Sequence, residues 1–480
     1  MPSPRPLHLA LLTAFALLAG GAAWLLLKRP PRPREAPQRP ARTSSQRTTE
    51  PVDPPAAAMA GPPVFPRMAF SGAEVMGINE AVGFPAEASG GLVPQLWMRD
   101  TLRRRGEATR GLGSTLVRVS SHAWPYLNFQ HAAAHDFACT DADLLFTTLA
   151  EQGLEAVVVL GPWPGARTAA FTKRYLPDDM DAYAAWVRQV VERYDGDGVD
   201  DMPGLGAPVL AWEVDNEPDL HNSEPPRGLG PDDFIEGFET PEEYAAVLLA
   251  TARAIRRADP QATVLLAGMY RPMTEGGEAY LSTVLDVPGV RAAVDGISLH
   301  CYFSENNLGR VRDTMATARA LAPEESIWIT ETSVPSVGRH RWVNQDWQAR
   351  MVAGVYGAFL AEGADRVFWH SLTTPPRRAA GQPGGFGSNA LLGADEEGGF
   401  TDKPAALVYR RLAAHLAEVD MASVHEEPAQ GGRLLATDRG WLAFWGAPTP
   451  PAEARGYHDL LTDARGHLIG PVAAPAWLEP

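Results

Sequence analysis

The sequence predicts an α/β protein: a (β/α)₈ barrel, or TIM barrel, with a small C-terminal β-subdomain and an N-terminal membrane-spanning segment. Three observations lead to this fold class. The chain has 480 residues, and a barrel of this kind needs roughly 250. Eight short apolar runs alternate with amphipathic helical patterns. A longer apolar stretch precedes them all.

The N-terminal stretch Leu7–Leu27 is uncharged and mostly apolar. Its length is sufficient for a helix across about 30 Å of hydrocarbon, whereas the apolar run of a signal peptide has roughly 7–15 residues. We therefore expect residues 1–27 to be a transmembrane anchor, with a cleaved signal peptide as the alternative. Residues 28–66 are rich in Pro, Arg and Ala, which predicts a disordered linker.

Residues 67–420 contain the apolar runs that predict the barrel strands. Several of the runs are β-branched and nearly continuous, as expected of strands that are buried on both faces. The runs are Val75–Asn79, Thr115–Ser120, Ala156–Gly161, Val209–Asp215, Thr263–Gly268, Gly296–Tyr302, Ser326–Thr330 and Arg366–Ser371.

The segments between these runs have the apolar spacing of helices. They include Asp141–Gln152, Met180–Tyr194, Pro241–Ala258, Gly309–Ala320 and Gln345–Glu362, and Lys403–Ala417 completes the set. The predicted N-caps are Asp141, Thr240, which precedes Pro241, and Asn344. Eight strands that alternate with helices favour a closed parallel barrel. The alternative, an open doubly wound sheet, calls for a glycine-rich phosphate loop that is missing from Val75–Glu87.

Residues 421–480 form the predicted β-subdomain. Arg433–Gly446 and Tyr457–Gly470 read as strands with turns at 438–440 and 463–466. A segment of about sixty residues is too short for a large independent core, so we expect it to pack on the side of the barrel.

The charge and cysteine content narrow the possible partners. A net charge of −16 argues against nucleic acid and is compatible with a neutral substrate. The two cysteines, Cys139 and Cys301, offer neither a disulfide framework nor a zinc cluster, and we expect no metal or cofactor. Cys301 alternates with His300 and Tyr302, so it is predicted to point out of the barrel as a buried free thiol.

Polar residues at the predicted strand ends indicate the chemistry, because barrel enzymes place their catalytic groups there. Glu217 follows the fourth strand and Glu331 the seventh. Two carboxyls about 5–5.5 Å apart are what retaining glycoside hydrolysis requires. One is protonated and serves as the acid, and the other is ionised and serves as the nucleophile. Arg118 on the second strand is placed to keep Glu331 ionised, which leaves Glu217 with a raised pKa.

Three motifs resemble those of glycoside hydrolase clan A over roughly residues 73–418: Asn-Glu-Pro at 216–218, His-x-Tyr at 300–302 and Thr-Glu at 330–331. The segment Trp-Glu-Val-x-Asn-Glu-Pro is most similar to family 39, which contains β-xylosidases and α-L-iduronidases, and family 5 is also similar. Family 39 usually has an aromatic residue before the Asn, where this chain has Asp215.

The resemblance implies a role for each matching residue. Glu217 is the expected acid/base and Glu331 the expected nucleophile. The supporting residues are Asn216 at the substrate 2-hydroxyl, Arg118 and Tyr302 at the nucleophile, His300 near the acid/base, and Trp369 as the floor of the −1 subsite. From their strand-end positions, His122, Trp124 and Trp163 are further candidates for substrate binding.

The sequence therefore predicts a retaining glycosidase that hydrolyses the O-glycosidic bonds of an oligo- or polysaccharide. We expect these bonds to be β-linked. A catalytically inactive carbohydrate-binding barrel and a transglycosylase are the alternatives. A metal-dependent barrel hydrolase would need clustered His and Asp ligands and an early His-x-His, which the chain lacks. Such a substrate favours a catalytic domain outside the cell, anchored or secreted, although Lys28 and Arg29 after the apolar stretch favour the opposite orientation.

Overall fold

The computed structural model describes most of the chain beyond residue 75. The described residues are 76–80, 95–119, 127, 129, 140–162, 176–177, 179–222, 240–270, 272, 274–303, 308–337, 343–373, 388–394 and 399–480. The predicted anchor 1–27, the predicted linker 28–66 and the residues Cys139, His122, Trp124 and Trp163 lie outside them. None of the helices in the described part of the chain combines the length and the apolar character needed to cross a membrane.

Eight parallel strands in the described residues close into a barrel in chain order, as predicted. Closure is made by the first and last strands, where Met76 is in register with Val367. Each strand begins and ends within three residues of its predicted position. The strands are β1 Met76–Glu80, β2 Leu116–Val119, β3 Glu155–Leu160, β4 Ala211–Asn216, β5 Val264–Met269, β6 Gly296–Tyr302, β7 Ser326–Ser333 and β8 Arg366–His370.

Helices cover the outside of the barrel. They are α1 Gln95–Gly111, α2 Thr140–Glu151, α3 Met180–Tyr194, α4 Pro241–Ala258, α5 Glu275–Asp286, α6 Val290–Ala293, α7 Gly309–Leu321, α8 Gln345–Ala361 and α9 Pro404–Leu416, with short 3₁₀ helices at Pro218–Asn222 and Met421–Ser423. Two of the three predicted N-caps are confirmed, because the Thr240 hydroxyl accepts from the Glu243 amide and the Asn344 side chain accepts from the Trp347 amide. The prediction for Asp141 is wrong, because α2 already begins at Thr140.

The barrel interior has an apolar layer below a polar layer. One inward side chain from each of six strands forms the apolar layer: Leu116, Val157, Ala211, Leu265, Trp328 and Phe368. Inward positions recur every second residue, so the next layer lies two residues further along each strand. On four of these strands that layer is polar, and it comprises Arg118, Glu213, Thr330 and His370. The interior thus becomes charged toward the carboxyl ends of the strands.

The C-terminal residues form an antiparallel sheet in the order β11-β12-β13-β16-β14-β15, preceded by a two-stranded hairpin of β9 and β10. These strands are β9 Leu392–Ala394, β10 Phe400–Asp402, β11 His425–Glu427, β12 Gly432–Thr437, β13 Gly440–Gly446, β14 Gly456–Asp459, β15 Arg465–His467 and β16 Ala476–Glu479. The six-stranded sheet packs on the barrel, since Trp477 stacks on His415 of α9 and Phe444 fills the space above Gly357 of α8. This is the β-subdomain expected from the sequence, with β11 and β16 added.

Candidate active site

The carboxyl ends of the strands bring the predicted residues together around one buried guanidinium. Arg118 on β2 donates from Nη1 to Glu331 Oε1 at 2.9 Å and from Nη2 to Asn216 Oδ1 at 2.8 Å. Tyr302 at the end of β6 donates its hydroxyl to Glu331 Oε2. The nucleophile predicted from the sequence is therefore bonded through both oxygens, which fixes the orientation of its carboxylate.

Glu217 lies next to Glu331 at this mouth. Its Oε1 is 2.7 Å from Nδ1 of His300, and the same nitrogen is 3.7 Å from Oε2 of Glu331. One carboxyl oxygen of each Glu and a ring nitrogen of His300 all lie within 4.8 Å of one another. The predicted approach of Glu217 and Glu331 is thus found in the structure, with His300 between the two carboxyls.

Local backbone geometry at the end of β4 directs Glu217 to this position. Asp215 and Glu217 have left-handed φ angles of 72° and 51°, which Asp tolerates better than most residues. The Asp215 carboxylate accepts a hydrogen bond from the Asn216 amide at 2.5 Å, and the Glu217 amide donates to Gly268 O at 3.0 Å. These bonds hold the irregular turn in place.

Asp215 itself points away from the mouth. Burial and the negative charge of Asp215 raise the pKa of Tyr183 on α3 and of Tyr244 on α4, which places its carboxylate toward the outer helices. Because this residue interrupts the strand alternation, Glu213 and Asn216 both face inward although they are three positions apart.

The two Glu residues have opposite pKa shifts although both side chains are largely buried, with 16% of Glu217 and 12% of Glu331 exposed. Burial raises the pKa of Glu217, and the negative charge of Glu331 raises it further against the opposing effect of His300. Burial also acts to raise the pKa of Glu331, but the charges of His300, His370 and Arg118 outweigh it and hold that pKa well below its ordinary value. Glu331 is therefore ionised at neutral pH, and Glu217 holds its proton to higher pH than an ordinary Glu does.

Burial and the charge of Glu331 also raise the pKa of Tyr302 well above its ordinary value. The phenol therefore keeps its proton and remains a hydrogen-bond donor to Glu331. This agrees with the supporting role that the sequence assigned to Tyr302.

The position of His300 depends on a glycine in the neighbouring strand. His300 is fully buried, and its ring lies against the Cα of Gly268 at the end of β5, where any Cβ would overlap the imidazole. The predicted neighbourhood of His300 and the acid/base is found. The sequence analysis did not identify Gly268 as a site residue. The sequence of a single strand does not show where a neighbouring strand approaches it closely.

The structure corrects the expectation for Trp369. This residue is 0% exposed, stacks on Tyr356 of α8 at 6.5 Å and donates from Nε1 to Asn389 O at 2.9 Å. It therefore packs outside the barrel wall and does not form the floor of a sugar site. The inward positions on β8 are Phe368 and His370. The subsite residue predicted on this strand, Trp369, therefore lies one position away from an inward-facing residue.

His370 occupies the mouth in its place. Its ring is 6.0 Å from that of Tyr302 in an edge-on arrangement, and its charge is among those that lower the pKa of Glu331. Burial lowers the pKa of His370 itself, although the charge of Glu331 acts against this.

Glu213 is a second residue that the sequence interpretation missed. It lies on β4 below Glu217, is 0% exposed, and accepts a hydrogen bond from Arg118 Nε. The sequence does contain a signal for this pair. Glu213 and Arg118 each lie within an apolar strand, and two buried opposite charges are expected to pair.

In the part of the chain that the structure describes, two groups of Asp, Glu and His residues have the spacing of metal ligands. Glu217, His300 and Glu331 form one, in which Arg118 already pairs with Glu331 and Nδ1 of His300 lies 2.7 Å from Oε1 of Glu217. Asp195, Asp197 and Asp201 form the other, where Asp201 accepts from the amides of the same loop at 2.7 and 3.0 Å. Neither arrangement calls for a cation.

Substitutions of the adjacent residues Trp369 and His370 test their opposite orientations. We expect Trp369→Ala to lower the free energy of unfolding by about 3–5 kcal/mol, because it leaves a cavity beneath α8. His370→Ala should cost only about 1 kcal/mol, because its side chain faces the open mouth. Urea unfolding of both variants measures the difference. A larger loss for His370→Ala would contradict the orientations described above.

No protein-family model matches the sequence, and no curated protein matches it. Several solved structures are similar to this chain in fold. The exo-β-1,4-mannosidase Op5Man5 from Opitutaceae bacterium strain TAV5 is 18% identical with a TM-score of 0.50, and the match covers 72% of this chain. It spans 60% of the mannosidase, less than two thirds of that chain.

Two further structures match over most of their own length. A family 39 β-xylosidase from Caulobacter crescentus is 18% identical with a TM-score of 0.52, and the match covers 86% of this chain and 97% of that one. The endo-β-1,6-glucanase BT3312 is 12% identical with a TM-score of 0.52, with 85% and 91% covered. These likenesses show that the chain shares the barrel fold of these three glycosidases.

Proposed function

We propose that this chain is a retaining glycosidase in which Glu331 is the nucleophile and Glu217 the acid/base. The observation that carries the proposal is the pair itself: oxygens of the two carboxyls lie within 4.8 Å, and the pKa values of the two groups are shifted in opposite directions. Inverting enzymes separate their carboxyls by roughly 6.5–9.5 Å to admit a water molecule, so the shorter spacing supports retention.

The geometry supports a double displacement. In the first step, a Glu331 oxygen forms a bond to the anomeric carbon, the glycosidic C–O bond breaks, and the leaving oxygen takes the proton of Glu217. In the second step, ionised Glu217 removes a proton from water, whose oxygen attacks the anomeric carbon and releases Glu331. Arg118 and Tyr302 hold Glu331 through its two oxygens for the first attack.

We propose β-linked glycosides of neutral sugars as the substrate class. The mannosidase, the xylosidase and the glucanase that share the fold are named for β-linked substrates. The net charge of −16 suits an uncharged substrate better than an acidic one. Asn216, held by Arg118 beside the nucleophile, is the group proposed to bind the sugar 2-hydroxyl.

The two alternative functions, a carbohydrate-binding barrel and a transglycosylase, predict different reaction products from the proposed hydrolase. A binding protein has no need of two carboxyls with opposite pKa shifts. A transglycosylase would use the same two Glu residues and transfer the sugar to a second sugar instead of water. Product analysis with and without an added sugar acceptor distinguishes transfer from hydrolysis.

Substitution of the nucleophile tests the proposal. We expect Glu331→Gln to lower kcat by more than about 10³-fold on 4-nitrophenyl β-xyloside, β-mannoside or β-glucoside, whichever the wild-type chain hydrolyses fastest. Sodium azide should restore turnover of Glu331→Gly and yield the α-glycosyl azide. Glu155→Gln at the opposite end of the barrel is the matched control. Wild-type turnover by Glu331→Gln would contradict the proposal.

The pH dependence tests the role of Glu217. Its pKa is raised and its protonated form is the acid, so kcat/KM should fall as the pH rises through that pKa. The depressed pKa of Glu331 should keep the nucleophile ionised, and the enzyme active, well into the acidic range. In Glu217→Gln, kcat/KM for a 2,4-dinitrophenyl glycoside should stay within tenfold of the wild-type value and lose its basic limb, because this leaving group needs no proton. A basic limb that persists would assign it to His300.

A further inference from the structure

We propose that Glu213 is a positioning residue for this reaction, acting as the permanent counter-charge of Arg118. The proposal rests on the function proposed above, because it concerns what happens to Arg118 when Glu331 reacts. Glu213 is 0% exposed and lies beneath the mouth, where it cannot reach a substrate. Its effect must therefore pass through its neighbours.

The contacts of Glu213 join three strands. Its Oε2 accepts from Arg118 Nε on β2. Its Oε1 accepts from the Gly268 amide on β5 at 2.8 Å and from the Thr330 hydroxyl on β7 at 3.0 Å. Three hydrogen bonds to a buried carboxylate compensate its desolvation.

Each of these three partners leads directly to a reacting group. Arg118 binds Glu331, and Thr330 precedes it in the chain. Gly268 accepts from the Glu217 amide at 3.0 Å. One carboxylate thus sets the relative positions of the strand ends that carry both the nucleophile and the acid. Displacements of about 1 Å in such a site can cost 10²-fold in rate.

The charges change during the proposed reaction in a way that makes a second counter-ion necessary. When a Glu331 oxygen bonds to the anomeric carbon, the carboxylate becomes a neutral ester. Arg118 is fully buried and its third partner, Asn216, is uncharged. Without Glu213, the guanidinium would be a buried cation without a bonded counter-ion in the glycosyl-enzyme, a situation that costs several kcal/mol. Glu213 keeps Arg118 paired throughout.

Glu213→Gln tests this role because it removes the charge and preserves the shape. We expect kcat on the aryl glycoside to fall roughly 10²-fold or more while KM changes only a few-fold, since the loss falls on the reacting state. Glu213→Asp, which keeps the charge, should retain more activity than Glu213→Gln.

Asp295→Asn is the matched control: Asp295 also pairs with an Arg, Arg256, but at the amino end of the barrel. It should lower stability without changing kcat.

A double-mutant cycle distinguishes an effect through Arg118 from a general loss of structure. In an Arg118→Met background, Glu213→Gln should change kcat by less than about threefold, because the charge it compensates is already gone. This double variant also removes the buried pair as a unit, which is tolerated better than removal of one partner. Additive losses, or a Glu213→Gln variant with wild-type kcat, would overturn the proposal.

One measurement does not depend on turnover. In protein labelled with ¹³C at the Glu carboxyls, the Glu217 signal is identified by its absence from Glu217→Gln. Removal of the Glu213 charge leaves Arg118 less compensated, so the titration midpoint of Glu217 should move to lower pH in Glu213→Gln. An unchanged midpoint would overturn the role of Glu213. A wild-type chain that is inactive on every glycoside would instead contradict the proposed function. The titration midpoint of Glu217 would still show whether its charge is coupled to that of Glu213.

Discussion

Arg118 is the residue on which the site depends. Its guanidinium is fully buried and binds Glu213 and Glu331 through separate nitrogens, with Asn216 on the third. Removal of one partner from a buried ion pair costs about 3–5 kcal/mol. The end of β4, which carries Asn216 and Glu217, and the end of β7, which carries Glu331, are therefore fixed relative to β2. The distance between the carboxyls of Glu217 and Glu331 follows from this constraint.

The opposite pKa shifts of Glu217 and Glu331 follow from the same arrangement. Both groups are buried, so burial cannot separate their pKa values. The positive groups are placed asymmetrically, with Arg118 bonded to Glu331 and no Arg bonded to Glu217 in the described site. The left-handed turn at Asp215 and Glu217 costs roughly 1–3 kcal/mol per residue and is held by backbone hydrogen bonds. This turn puts Glu217 above the strand end and beside its partner.

Sequence reasoning succeeded where a signal is local and periodic. The eight strands, the caps at Thr240 and Asn344, and the clustering of Glu217 with Glu331 all follow from runs and positions along one segment. It failed for Trp369, because the role carried over from the family resemblance does not follow the strand parity of β8, where Phe368 faces inward. Glu213 and Gly268 were missed because their roles arise between strands. A buried Glu in an apolar strand could have been matched to Arg118, whereas the contact of Gly268 with His300 is visible only in three dimensions.

The covalent intermediate is the most direct test of the account. The wild-type protein would be incubated with the 2,4-dinitrophenyl 2-deoxy-2-fluoro-β-glycoside of the sugar that it hydrolyses fastest. The intact mass and the peptide map of the product would then be measured. The account predicts a mass increase of one fluoroglycosyl group per chain, attached to Glu331. An adduct on another residue, or an inverted first-formed product without any adduct, would contradict it.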